Sequence, residues 1–160
     1  MQKTWVRIVT TVFTLGILIM IFCFSMEPAE QSDATSGRIA EKVADRVRPE
    51  WRNYEARKKK AYFQQVQHVV RKCAHYIEFA FLGLSLSLCL ESWFGRRTRR
   101  GLPPGAWLGG TACAALDEMH QRLVDGRSGQ WTDVLLDSAG VASGALIGWA
   151  LIRLIRKKMA

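Results

Sequence analysis

The sequence predicts an all-α fold: one polytopic membrane domain over residues 1–160, built from four transmembrane helices with a partly helical outward loop after the first. Three observations lead there. Apolar residues gather into blocks, Ile8 to Phe24, Ala74 to Leu90, Gly105 to Leu116 and Val134 to Leu154. Basic residues sit at the edges of those blocks. Acids and a histidine interrupt the second and fourth blocks near one end, and two acids directly follow the third. A mean hydropathy close to zero conceals this arrangement, because the charged residues are clustered as tightly as the apolar ones.

A bilayer core takes about 20 predominantly apolar residues per helix, which places the spans at about 6–25, 71–90, 105–122 and 131–152. The first begins after Lys3 and Arg7 and is too long for the apolar part of a cleaved signal peptide; its exit, Phe24-Ser25-Met26-Glu27-Pro28, lacks a small-x-small cleavage site. It reads as a retained signal anchor. Glu27 to Ser36 reads as a polar turn, after which Thr35 or Ser36 caps a short helix with Ile39, Val43 and Val47 at four-residue spacing and Ala40 and Ala44 beside them. Such a one-sided helix suits the outer membrane surface or the flank of the bundle. Arg48-Pro49 ends it. From about Asn53 a charged helix turns apolar at Tyr62, Phe63, Val66, Val69 and Val70 and runs toward the second span.

The second span opens with Lys72, His75 and Glu78, three residues apart and so covering about a third of the helix circumference. Lys72 at the boundary can extend to the headgroups. Glu78 lies about two turns deeper, where an ionisable group is costly unless it faces a partner or water. An arginine-rich hairpin with Pro103-Pro104 leads to the third span, in which Gly109-Gly110 permit close packing and Asp117, Glu118 and Gln121 crowd the far end. His120 points away from these and reads as interfacial. After Asp125-Gly126-Arg127-Ser128-Gly129, a tight connection, the fourth span starts at Trp131, an interfacial residue type. Positions 133, 137, 140, 144 and 148 of this span fall on one arc, reading Asp, Asp, Gly, Gly, Gly. Gly140, Gly144 and Gly148 are therefore the expected helix-packing stripe.

The net charge of +9 does not indicate nucleic acid, since the basic residues flank apolar runs rather than sharing a surface. Lys3 and Arg7, the Arg96, Arg97, Arg99 and Arg100 group, and Arg153, Arg156, Lys157 and Lys158 mark cytoplasmic ends under the positive-inside rule. Both termini are thus expected in the cytoplasm of a multi-pass cell-membrane protein, with Ser32 and Gly126 outside. The Arg57-Lys58-Lys59-Lys60 run falls on the outer side, but in a long loop diluted by seven acids. Cys23, Cys73, Cys89 and Cys113 form no CxxC pair and read as small apolar fillers, implying neither disulfide nor metal site.

By depth, Lys72, His75, Glu78, Asp117, Glu118, Gln121, Arg127, Asp133 and Asp137 converge on the outer third of the bundle. Ionisable groups within a membrane are a functional-site hypothesis by default. Four readings compete: a structural clasp of paired charges, a divalent-cation site, acid–base chemistry on a lipid-linked substrate, and capture of an amphiphile entering from the outer leaflet. No nucleophile–base pair or specific metal-ligand spacing is recognisable, which favours binding over catalysis and implies no cofactor.

The motifs resemble the VanZ-like membrane proteins, which share a lysine–x–x–histidine at the start of one span, an Asp-Glu-x-x-Gln element, a following arginine and an Asp-x-x-x-Asn-x-x-Gly-x-x-x-Gly helix. Here these are Lys72–His75, Asp117-Glu118–Gln121, Arg127, and Asp133–Asp137–Gly140–Gly144. The Phe24-Ser25 exit and the Ser36-Gly37-Arg38 region extend the resemblance over nearly the whole chain. Asp137 departs from the pattern, standing where asparagine is common. The resemblance implies an envelope protein; the family's namesake is associated with low-level resistance to teicoplanin, a glycopeptide antibiotic.

Overall fold

A computed structural model describes residues 2–95, 102–124, 126, 127 and 129–159. The arginine group at 96–100, Asp125 and Ser128 lie outside the described residues. Among the described residues, five helices and one short 3₁₀ turn follow in order: α1 Gln2–Ser25, α2 Ala29–Val47, the turn Pro49–Asn53, α3 Ala56–Phe94, α4 Leu102–Gln121 and α5 Trp131–Met159. No strand occurs among the described residues, so the all-α expectation holds.

Three of these helices, α1, α3 and α5, are long and apolar enough to cross a membrane. The predicted third span forms as α4, whose 20 residues match a bilayer core in length. Its composition falls short, because glycine and alanine fill its middle and Asp117 and Glu118 occupy its last turns.

At 39 residues α3 is about 58 Å long, nearly twice the ~30 Å hydrocarbon thickness. Its first half therefore projects beyond the apolar zone, and α2 and the 3₁₀ turn pack on that projecting half. Trp51 is buried there, stacked on Phe63 at 5.8 Å and tilted against Tyr62 at 6.1 Å. Its indole Nε1 donates to Asp45 Oδ1 at 2.8 Å, and Arg52 binds the same carboxylate through Nε at 2.8 Å and Nη2 at 2.7 Å. The Arg52 guanidinium and the Trp51 donor hold the Asp45 carboxyl below the usual carboxylate range.

Two sequence expectations change here. The expected polar turn at 27–36 is helical from Ala29: Pro28 stands at the N-cap, its carbonyl accepting from Ser32 N at 3.1 Å, and Glu30 complements the first turn. Ser36 is no cap: it lies buried within α2 and donates back to Ser32 O at 2.8 Å. The inward face of α2 is also the small one, Ser36, Ala40 and Ala44, while Ile39 and Val47 stay exposed. Small residues let α2 approach α3 closely, and the larger ones are left on the opposite side.

The bundle centres on α3 and α5. A methyl added at Gly140 would stand 2.5 Å from the Tyr76 carbonyl oxygen, and one at Gly148 would stand 2.8 Å from Ser87 Cβ. One at Gly144 would overlap the Ala80 carbonyl oxygen, with the carbonyl carbon at 2.7 Å and Leu84 N at 2.8 Å. The reverse contact comes from Gly83, whose Cβ would strike the Val141 backbone. Val141 in turn fills the space at Gly110 of α4. Ile17 and Ile21 of α1, Phe79 and Leu82 of α3, and Ala114 of α4 complete the core around Val141. At the end away from the α4–α5 connection, Arg156 pairs with Glu91 and donates to Gly95 O at 2.7 Å, tying α5 to α3. The threonines of the first block serve α1 packing: Thr10 Oγ1 lies 3.0 Å from Ser92 Oγ, and Trp93 Nε1 donates to Thr11 at 3.1 Å.

Candidate functional site

The nine polar residues divide into two levels. Lys72, His75, Gln121, Arg127 and Asp133 line an open cleft of about 260 Å³, together with Ala29, Ser32, His68, Arg71, Gly126 and Gln130. Glu78, Asp117, Glu118 and Asp137 are absent from that lining; the last three are buried and Glu78 half-buried.

Gln121 at the end of α4 and Asp133 at the start of α5 reach the cleft beside residues of three other segments. α3 supplies His68, Arg71, Lys72 and His75, whose spacings of three and four residues keep them on one side of the helix. The α4–α5 connection supplies Gly126, Arg127 and Gln130, turning through Gly126 at φ +75, which a residue without Cβ adopts without strain. The start of α2 supplies Ala29 and Ser32. Lys72 is ion-paired with Asp133 of α5, each side chain being 31% exposed. Arg71 Nη1 pairs with Asp33 Oδ1 of α2 at 2.7 Å. Arg127 donates to the Phe24 carbonyl at 3.1 Å, joining the connection to the end of α1. Among the described residues no carboxylate lies within ion-pair distance of it. His75 Nδ1 is buried without a hydrogen bond among the described residues, 3.9 Å from Glu78 Oε2.

Beneath the cleft, Asp117 Oδ2 accepts from Ser25 Oγ at 2.7 Å and Gln121 Nε2 at 2.8 Å, and the same amide reaches Ser25 Oγ at 3.1 Å. This triangle joins α1 to α4. Glu118 Oε1 accepts from the Gln130 backbone N–H, closing the α4–α5 connection. Asp117 Oδ1 and Asp137 Oδ1 are buried without a partner among the described residues, an uncommon condition for a carboxylate oxygen. Asp137 lies within electrostatic reach of Glu118, Asp117, Asp133 and Glu78, and His75 within reach of Asp117, Arg127 and Asp133, so the two levels adjoin. No three histidine, cysteine or acidic residues assemble as a metal site among the described residues.

Alongside the cleft runs an apolar groove of about 400 Å³, lined by Val69, Lys72, Cys73, Tyr76, Ile77 and Leu136. Lys72 belongs to both walls. Tyr76 Oη is held 2.6 Å from Ser143 Oγ, which fixes the ring against α5.

Sequence reasoning missed Ser25, His68, Arg71 and Gln130. The His68–Lys72–His75 spacing carried the signal for His68, and the Phe24-Ser25 exit carried it for Ser25. Arg71 and Gln130 carried none, because their roles depend on Asp33 and Glu118, remote in the chain. His120, expected at the interface, packs edge-on to Phe22 of α1 at 6.2 Å.

This arrangement draws on elements from α1 through α5, and the family comparison covers the same extent, matching VanZ/LLP1 over residues 10–156. The chain belongs to the VanZ/LLP1 family. Membership together with the apolar helices makes it a VanZ-like membrane protein of the cell envelope. No curated protein matches the chain, and no solved structure does.

Proposed function

We propose that this VanZ/LLP1-family protein modulates susceptibility to glycopeptides of the teicoplanin type by binding an amphiphilic or lipid-linked ligand in the cleft. The supporting observation is the cleft itself: open, polar, and walled by α2, α3, the α4–α5 connection and the adjoining ends of α4 and α5, at the level where α3 leaves the apolar zone. In this reading α4 is a fourth crossing, admitted because its acids are sequestered against Ser25, Gln121 and the Gln130 N–H. Both termini then lie in the cytoplasm, and the cleft faces outward, where glycopeptides and their lipid-linked targets meet. The test is teicoplanin susceptibility of a host expressing wild-type protein or Arg127→Ala at matched membrane abundance. Wild type should shift susceptibility and the variant should not. Identical susceptibility with wild type and an empty vector defeats the reading.

A second reading, an enzyme acting on a lipid-linked envelope substrate, draws support from the unpartnered oxygens of Asp117 and Asp137. Buried carboxylate oxygens without donors are suited to accepting a proton. Purified protein incubated with labelled lipid-linked precursors would then convert them, and Asp137→Asn would abolish conversion at unchanged folding. Precursors recovered intact from the wild-type incubation exclude it.

A further inference from the structure

The cleft and the groove share Lys72, and both draw on α3 and α5. Asp133 of α5 faces the cleft and Leu136, three residues on, faces the groove. The groove lining on α3 runs from Val69 to Ile77, about 12 Å along the axis. From Lys72 onward it passes from the charged end toward the apolar middle. Trp131 marks the level from outside: it is 70% exposed at the start of α5, with the Arg122 guanidinium 5.1 Å from its ring, a residue type and placement suited to the headgroup layer. Polar chemistry thus sits at headgroup depth, with a hydrocarbon track directly below it.

Among the described lining residues, Arg71, Lys72 and Arg127 face the cleft against Asp133, and even counting Asp33, which holds Arg71, the described cations outnumber the described acids by one. Among the described residues that surplus resides on Arg127, whose five N–H donors make one hydrogen bond there, to Phe24 O. His68 and His75 add further nitrogen atoms to the same wall. Guanidinium groups bind phosphate with paired, charge-assisted hydrogen bonds. Among the described lining residues the acid is Asp133, and it is taken by Lys72, which leaves it unavailable to the cationic part of a zwitterionic headgroup.

We propose that the two form one seat for an anionic lipid, its phosphate held by Arg127, Lys72 and Arg71 and its first hydrocarbon segment lying along Cys73, Tyr76, Ile77 and Leu136. The proposal rests on the reading of the cleft as a ligand site and names the ligand's chemistry. Lys72 belongs at the junction: its methylenes continue the apolar wall while its ammonium reaches the phosphate. The head-and-tail order matches that of a lipid in the adjoining leaflet, so the ligand enters sideways without turning.

The experiment uses the full chain in an uncharged detergent, followed by thermal unfolding during titration with three probes. Dioctanoyl phosphatidic acid carries phosphate and tails, dioctanoylglycerol the tails alone, and glycerol 3-phosphate the phosphate alone. Phosphatidic acid should raise the melting temperature saturably, at a concentration about tenfold or more below either part-ligand, because each part forgoes one of the two subsites. Dioctanoylglycerol or glycerol 3-phosphate acting at the same concentration overturns the proposal, the first by showing tail partitioning only and the second by showing an anion site without a tail. Arg127→Gln, which removes the surplus charge, and Cys73→Trp, which fills the groove, should each weaken phosphatidic acid about tenfold. Unchanged half-saturation in folded variants likewise overturns it; should a variant fail to fold, the three probes on the wild-type chain still decide. The susceptibility assay is independent, so a lipid seat that leaves teicoplanin response unaltered separates failure of the glycopeptide reading from failure of this one.

Discussion

Gly144→Ala adds one methyl group at the tightest point between α3 and α5. The new carbon would overlap the Ala80 carbonyl oxygen and approach Leu84 N at 2.8 Å, and both obstacles are backbone. No rotamer can clear them; α5 must move outward, releasing the neighbouring contacts at Gly140, Gly148 and Gly83. Overpacking of this kind costs about 1–3 kcal/mol, and more where the obstacle is rigid. In water the alanine would regain up to ~1 kcal/mol of helix propensity. Within a bilayer that offset shrinks, because the unfolded reference keeps its spans helical for want of other hydrogen-bond partners. Each kcal/mol corresponds to roughly 2–4 °C for a chain of this size. Gly109→Ala, where an added methyl meets nothing within 4 Å, is the matched control. Thermal unfolding in detergent should show Gly144→Ala lowered by several degrees and Gly109→Ala unchanged. Equal melting temperatures would refute the reasoning, since they would mean that α3 and α5 are not in close backbone contact.

Lys72→Met should reduce membrane abundance by stranding Asp133, and adding Asp133→Asn should restore it, because most of the single variant's cost is the unpaired carboxylate. Asp117→Leu removes the shared acceptor of Ser25 and Gln121 and should destabilise by about 2 kcal/mol or more; Asp117→Asn, which keeps an oxygen there, should do so less, as read from denaturant midpoints. A membrane-impermeant thiol reagent applied to intact cells, in a cysteine-free background, should label Ser32→Cys and Gly126→Cys but not Met159→Cys. The Asp45 clasp should respond to acid. With its folded pKa below the unfolded value, its stabilisation is present above the unfolded pKa and is lost as pH falls through the folded one. Amide protection at 50–54, taken relative to the intrinsic exchange rate at each pH, should therefore fall below about pH 4, and Asp45→Asn should lower it already at neutral pH.

Periodicity carried much of the architecture. The 3- and 4-residue recurrence of glycine in α5 named the stripe that meets α3, and the apolar blocks located the helices that make the bundle. Depth reasoning grouped the polar residues but did not divide them, because a helical wheel cannot tell Asp133, at the mouth, from Asp137, one turn below and closed over by neighbours. Lys72 illustrates the same limit. Its partner is Asp133 rather than the deeper acids Glu78 or Asp137, a choice made by the α3–α5 register and not by local spacing. The projecting region was the least legible. Ile39, Val43 and Val47 have the spacing of a buried stripe, yet Ser36, Ala40 and Ala44 face α3, since close approach selects for size before polarity.

The uninterrupted course of α3 makes the height of the cleft a property of the whole molecule. A hinge near Val70 would let the outer part and the membrane part adjust separately; a single rigid rod does not. When the surrounding bilayer thickens or thins, the helix meets the mismatch by tilting or sliding as one piece. The platform of α2 and Trp51 travels with it, and so do Arg71, Lys72 and His75.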